Sequence, residues 1–127
     1  DAGIRLGAML NDRDFDRAHQ FIDSLHIEYP RDPQFYFGEG WVYDMQGDSI
    51  KARIAYTKSI AIYDSLIAVK PNFDDMFNRA FIIQILYGID AYNQELDKMQ
   101  STLKSSKDSM VIEHIRGWVF KKEEISF

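Results

Sequence analysis

Residues 32–56 read DPQFYFGEGWVYDMQGDSIKARIAY, and the punctuation in this stretch decides the fold. Asp32-Pro33 is a helix start. The Asp carboxylate accepts from amides that have no partner within the helix, and proline at the first helical position gives up an N–H that nothing needs. Gly47-Asp48 is a stop and a new start, because glycine takes the backbone turn that ends one helix and Asp caps the next. Beyond it Ala52, Ala55, Tyr56, Ile60, Tyr63, Leu66 and Ile67 recur at helical spacing on one face. Two helices joined by so short a turn must lie back to back as an antiparallel hairpin.

The same signals continue outward. Upstream, residues 3–11 carry Ile4, Leu6, Met9 and Leu10, a short helix, and Asp14 caps a second with Phe15, Ala18, Phe21, Ile22 and Leu25 on its apolar face, running to about Tyr29. Downstream, the middle hairpin ends near Lys70, before Pro71. A fifth helix runs from about Asp74 to Tyr87 and stops at Gly88. Asp90 is expected to cap a sixth, with Tyr92, Leu96, Met99 and Leu103 on one stripe. A seventh is expected over about 107–121, with Val111, Ile115, Trp118 and Val119 facing one way. Pro30, Pro33 and Pro71 all fall between these stretches, where a residue that cannot continue a helix belongs. No period-2 alternation and no Asn-Gly or Asp-Gly dipeptide competes, so the expected class is all-α.

Sliding the chain along itself shows repetition. At an offset of 34, Asp14 falls on Asp48, Arg17 on Lys51, Ala18 on Ala52 and Ile22 on Tyr56. At an offset of 41, Gly47 falls on Gly88, Pro30 on Pro71, Tyr36 on Phe77 and Trp41 on Ile82. The two offsets differ by about two helical turns, so a longer helix in the middle unit hands the chain on at nearly the same azimuth. In the middle unit Tyr36, Gly40, Tyr43, Gly47-Asp48, Ala52 and Tyr56 follow a large, small, aromatic, turn, small, aromatic order. In this the chain resembles the tetratricopeptide repeat family. The resemblance covers about residues 3–104. It weakens in the first unit, where Gly3 and Gly7 stand in the first helix, and in the third, where Asn93 or Gln94 replaces the small residue. It implies one domain over 1–127, an α–α superhelix of three hairpins over about 3–31, 32–72 and 73–105. A capping helix would follow over about 107–121. Small residues would let helix backbones approach while aromatics fill the space beside them.

Composition bounds the chemistry. The net charge is -5 and Lys121-Lys122 is followed at once by Glu123-Glu124, so general nucleic-acid and anionic-membrane binding are not expected. No apolar run approaches the ~20 residues that span a bilayer; even Ala80–Leu86 is interrupted by Gln84. No cysteine is present, which removes disulfides, thiolate zinc sites and cysteine nucleophiles. The chain starts at Asp1 and not Met, which suggests that a signal sequence, a lipid-anchor segment or another upstream piece has been removed, as in an exported or periplasmic bacterial protein.

Asn11–Asp16 places oxygens at alternate positions, as calcium requires, but Arg17 stands where such a loop needs glycine and Asp23 where it needs a bidentate Glu. It reads as a capped turn. His19 and His26 are seven apart, not the four that make a zinc pair on a helix, and His114 is remote. Gly38-Glu39-Gly40 lies inside a helix and cradles no phosphate. No serine sits in a nucleophile elbow, and Glu28, Glu39 and Glu95 have no partner visible in sequence. No metal, cofactor or catalytic residue is expected.

One feature exceeds the ordinary. The fifth helix is apolar nearly all round in its second half, whereas surface helices keep a polar face. Aligned by the repeat, Ile82, Ile85 and Leu86 would join Phe37, Trp41 and Met45 on the floor of a concave groove, with Gln34, Asp44, Asn78 and Arg79 around it. The expected function is therefore a non-enzymatic scaffold that binds a protein, peptide or partner helix there. The alternatives are that the last helix, through Trp118 and Phe120, covers the apolar residues, or that they serve homodimerisation or docking on the chain's own sequence. The carboxylate clamp of the family's chaperone-binding members is not implied. Gly3, Gly7 and Gly38 replace its Lys and Asn residues, Asp75 replaces a Lys, and only Arg79 fits.

Overall fold

A computed structural model of the chain describes residues 1–120. Among these residues all regular structure is helical: α1 (Ala2–Asn11), α2 (Phe15–Glu28), α3 (Pro33–Met45), α4 (Ser49–Val69), α5 (Phe73–Tyr87), α6 (Ile89–Thr102) and α7 (Ser106–Ile115). The chain divides into two compact units, the first ending at Ile62 and the second starting at Tyr63. None of the described helices is long and apolar enough to cross a membrane.

The helix starts follow the cap chemistry. Asp14 accepts from the Arg17 amide at 3.3 Å, Asp32 from Gln34 at 2.9 Å and Asp48 from Lys51 at 3.1 Å. Asn72 and Ser105 do the same for α5 and α7. The start of α6 corrects the sequence reading. Its N-cap is Gly88, with φ 95°, and Asp90 lies inside the first turn. Gly88 ends α5 and begins α6 at once, and only glycine takes that φ without strain. Asp90 still serves, as a negative charge at the positive end of the helix dipole.

A second correction concerns α7, which stops at Ile115 and not near 121. Gly117, at φ 79°, turns the chain out of the helix. The face that α7 buries is Ile112 and Ile115. Of Val111, Ile115, Trp118 and Val119, expected together on one stripe, only Ile115 is buried and the other three are exposed. Lys121, the expected end, lies outside the described residues.

In the first unit, α1 packs on α2 and α2 on α3. Leu6 and Leu10 of α1, Ala18 and Ile22 of α2, and Trp41 and Val42 of α3 form its buried core. A trio repeated at a seven-residue interval sets the register of α2, α3 and α4. His19 packs on Tyr43 at 4.6 Å with the Lys51 ammonium 5.7 Å from the same ring. His26 stacks on Tyr36 at 4.2 Å with the Lys58 ammonium 5.9 Å away. Seven residues is about two turns, so each trio lies directly below the other on all three helices, and the tyrosine faces attract the cations. Numbers rise on α2 and α4 as they fall on α3, which makes both neighbours antiparallel to it. A Cβ on Gly40 would lie 2.5 Å from the Tyr56 ring, so α3 and α4 approach more closely there than any larger residue allows. Tyr56 donates to the Asp44 carboxylate at 2.7 Å, and the buried Ser59 hydroxyl to the Pro33 carbonyl at 2.8 Å.

In the second unit, α5 packs on α6 and α6 on α7. Its core is Ala80 of α5, Tyr92, Leu96, Met99 and Leu103 of α6 and its end, and Ile112 and Ile115 of α7. Arg79 on α5 reaches Asp64 on α4 at 2.6 Å and Glu95 on α6 at 2.7 Å, clamping three helices. Arg116 bonds Asp97 at 2.7 Å and Gln100 at 2.9 Å across the antiparallel α6–α7 pair.

Candidate functional site

The residues that sequence placed on a groove floor have different fates. Trp41 is 5% exposed and stands in the first unit's core beside Leu6 and Leu10. Ile82 is 1% exposed. Neither offers surface, and Trp41 is covered by its own unit's packing. Phe37 and Met45 are half-buried, Phe37 stacking on Trp41 at 6.4 Å and meeting Tyr56 at 5.7 Å. Ile85 and Leu86 are half-buried on α5, as is Asn78, and Gln34 is exposed at the start of α3. The two charged residues chosen for specificity are already committed: Asp44 to the Tyr56 hydroxyl, and Arg79 to Asp64 and Glu95.

An open cleft of about 400 Å³ lies in the first unit, lined by α1, the end of α2 and the start of α3. Arg5 sits 4.5 Å over the Phe21 ring on one wall, and Tyr29 meets Phe35 at 5.6 Å on another. Glu28, hydrogen-bonded to the Tyr29 hydroxyl and adding its charge, pushes that hydroxyl's pKa up. The cleft mixes a guanidinium with the Glu28 and Asp32 carboxylates and so selects no one class of ligand.

The most fully built site is in the second unit, where helices hold a non-helical piece of chain. After Ile115 the chain turns and residues 117–120 run across α5 and α6. Three side chains read the main chain there. Tyr92, buried in the core, donates to the Ile115 carbonyl at 3.0 Å. Asn93 accepts from the Gly117 amide at 3.0 Å. Gln84, 8% exposed, donates to the Trp118 carbonyl at 2.8 Å and accepts from the Phe120 amide at 2.8 Å. A primary amide presents a donor and an acceptor side by side, as a peptide unit does. Gln84 thus bonds the residues on either side of Val119 as one residue of a parallel strand would.

The side chains of the held segment divide sharply. Phe120 enters an aromatic pocket, 4.4 Å from Phe81, 5.4 Å from Tyr92 and 6.2 Å from Phe77, the last two edge-on. Edge-to-face contacts at these spacings are the favourable ones. Val119 points to solvent at 68% exposure, and Trp118 is half exposed with His114 edge-on at 5.5 Å. Burial pushes the Tyr92 hydroxyl up to about 12, with the Arg116 charge opposing it, so the group stays a donor.

Sequence reasoning named Trp118 and Phe120 as a cover for α5, and Phe120 does pack on α5 through Phe77 and Phe81. The roles of Gln84, Asn93 and Tyr92 were missed. One signal for the first was present: Gln84 interrupts an otherwise apolar run, and a polar residue at a buried helix position must be satisfied by something. Compared with family models, curated proteins and solved structures, the chain matches none of them.

Proposed function

We propose that this chain is a non-enzymatic protein-interaction module, built in the manner of a tetratricopeptide array, that holds extended polypeptide. The observation that carries the reading is segment 117–120. The scaffold binds its main chain through Gln84 and Asn93 and takes one aromatic side chain in a pocket, which is how helical and strand-like receptors hold peptides. The repeat-like construction is supported by the Gly40–Tyr56 approach and the Gly47-Asp48 turn, both at positions where the resemblance requires them. The test is selection of random linear peptides on the immobilised full chain. Peptides enriched over the support alone are the expected result, and a selection that enriches none refutes the proposal.

A second reading, assembly with another copy, is favoured by one surface. Met110 at 73% exposure, Val111, Trp118 and Val119 place four apolar side chains on the outside of α7 and the segment after it. Helix ends of repeat arrays ordinarily carry a polar outer face.

A further inference from the structure

We infer that the cleft over α5 and α6 is a site for a Gly-x-x-aromatic segment of another polypeptide, and that residues 117–120 are its resident competitor. The inference rests on the interaction-module reading and names the site and the ligand class.

The recognition rules come from how the resident segment is held. The first position donates its amide to Asn93 with φ at 79°, which favours glycine. The second supplies only its carbonyl to Gln84, and its indole lies outside the pocket. The third makes neither bond to Gln84 and faces solvent, so any residue fits. The fourth gives its amide to Gln84 and its ring to the pocket of Phe77, Phe81 and Tyr92, which calls for Phe or a close aromatic relative. Main-chain bonds supply affinity for any extended chain, and the two end positions supply the selection.

Two features make the resident segment displaceable. Of its last three side chains only Phe120 enters the pocket, Trp118 being half exposed beside His114 and Val119 facing solvent, and the segment joins α7 through Gly117, whose backbone freedom makes it a hinge. A third feature suits the cleft to an extended occupant. Both polar atoms of Gln84 bond residues 118 and 120, so when the segment departs the same donor and acceptor are presented, side by side, to the main chain of whatever takes its place. The sequence therefore keeps a polar group, amid Phe81, Ile82, Ile83, Ile85 and Leu86, whose use is to read a main chain.

The test uses the full chain and amide hydrogen exchange read by NMR. In the free protein the Phe120 amide should exchange at least about tenfold faster than that of Leu96 in the core of α6, by local opening. A synthetic peptide copying residues 114–122 should displace the resident segment and speed Phe120 exchange further, with Leu96 unchanged. The same peptide with alanine for its phenylalanine should do nothing. In the full-length Phe120→Ala variant the apparent affinity for the peptide should rise about tenfold, because the competitor is weakened. Adding Gln84→Leu to it should remove the gain. A Phe120 amide that exchanges only as slowly as Leu96, and ignores the peptide, overturns the inference whether or not the variants fold. If selected peptides bind the chain without moving Phe120 exchange, the cleft assignment falls while the interaction-module reading stands. If no peptide binds at all, both fall.

Discussion

Gly40 and Gly7 both lie inside helices, and their replacement should have opposite signs. A methyl at Gly40 meets the Tyr56 ring at 2.5 Å, and Tyr56 is itself buried and tied to Asp44, so it has little room to give. Gly40→Ala should lower stability by about 1–3 kcal/mol. A methyl at Gly7 in α1 meets nothing within 4 Å. Gly7→Ala should raise stability by about 0.5–1 kcal/mol, since alanine loses less freedom on entering a helix. Urea denaturation of the two variants beside the wild type decides the matter, and a Gly40→Ala chain as stable as its parent would mean that α3 and α4 do not approach as described. Gly40 was legible in sequence as the small member of the pattern. The harmlessness of a side chain at Gly7 was not, because the space around a residue depends on neighbours distant in the chain.

Among the elements, one of the links between α6 and the end of α7 is a hydroxyl that titrates only at high pH. Tyr92 donates to the Ile115 carbonyl from a fully buried position, and burial raises its hydroxyl pKa to about 12 against about 10 when unfolded. Tyr56 moves the same way, first through burial and then through the Asp44 carboxylate that accepts its proton. Between pH 10 and 12 the unfolded chain releases protons that the folded chain keeps. Stability is therefore whole below pH 10 and declines as pH climbs, by about 2 kcal/mol for Tyr92 alone. Denaturation midpoints at pH 9 and pH 11.5 should show the fall, and Tyr92→Phe should flatten the slope while costing about 1 kcal/mol at pH 9 for the lost hydrogen bond. An unchanged slope in that variant would place the titration elsewhere. The helices themselves were readable from spacing and, for α2, α3 and α4, from their Asp caps. The end of α7 was not, because Val111, Trp118 and Val119 continue a helical stripe in number while Gly117 turns the backbone away.

For the whole molecule, the two functional readings differ in mass. An interaction module whose apolar α7 surface is incidental is a monomer of 14.9 kDa by light scattering at micromolar concentration. Assembly through that surface predicts a rise towards twice that mass with concentration, and Met110→Lys should abolish it, since burying an unpaired ammonium in an apolar contact is costly. A monomer is the expected outcome. A concentration-dependent dimer sensitive to Met110→Lys would put the assembly reading first.

By itself the sequence determined that the chain is helical, that Asp14, Asp32 and Asp48 cap α2, α3 and α4, and which small residue lets α3 and α4 close on each other. These are local matters: a carboxylate finds an amide two or three residues on, a glycine turns where it stands, and an apolar stripe recurs with the helix period. What the apolar fifth helix does was decided only in tertiary structure. Ile82 and Trp41 went to cores, Asp44 and Arg79 were taken by Tyr56, Asp64 and Glu95, and Gln84 found its partners on residues 118 and 120. Those pairings join groups far apart along the chain, and no spacing rule relates them. They depend on where packing brings separate helices and the segment after α7, which is a property of the folded chain and not of any window of its sequence.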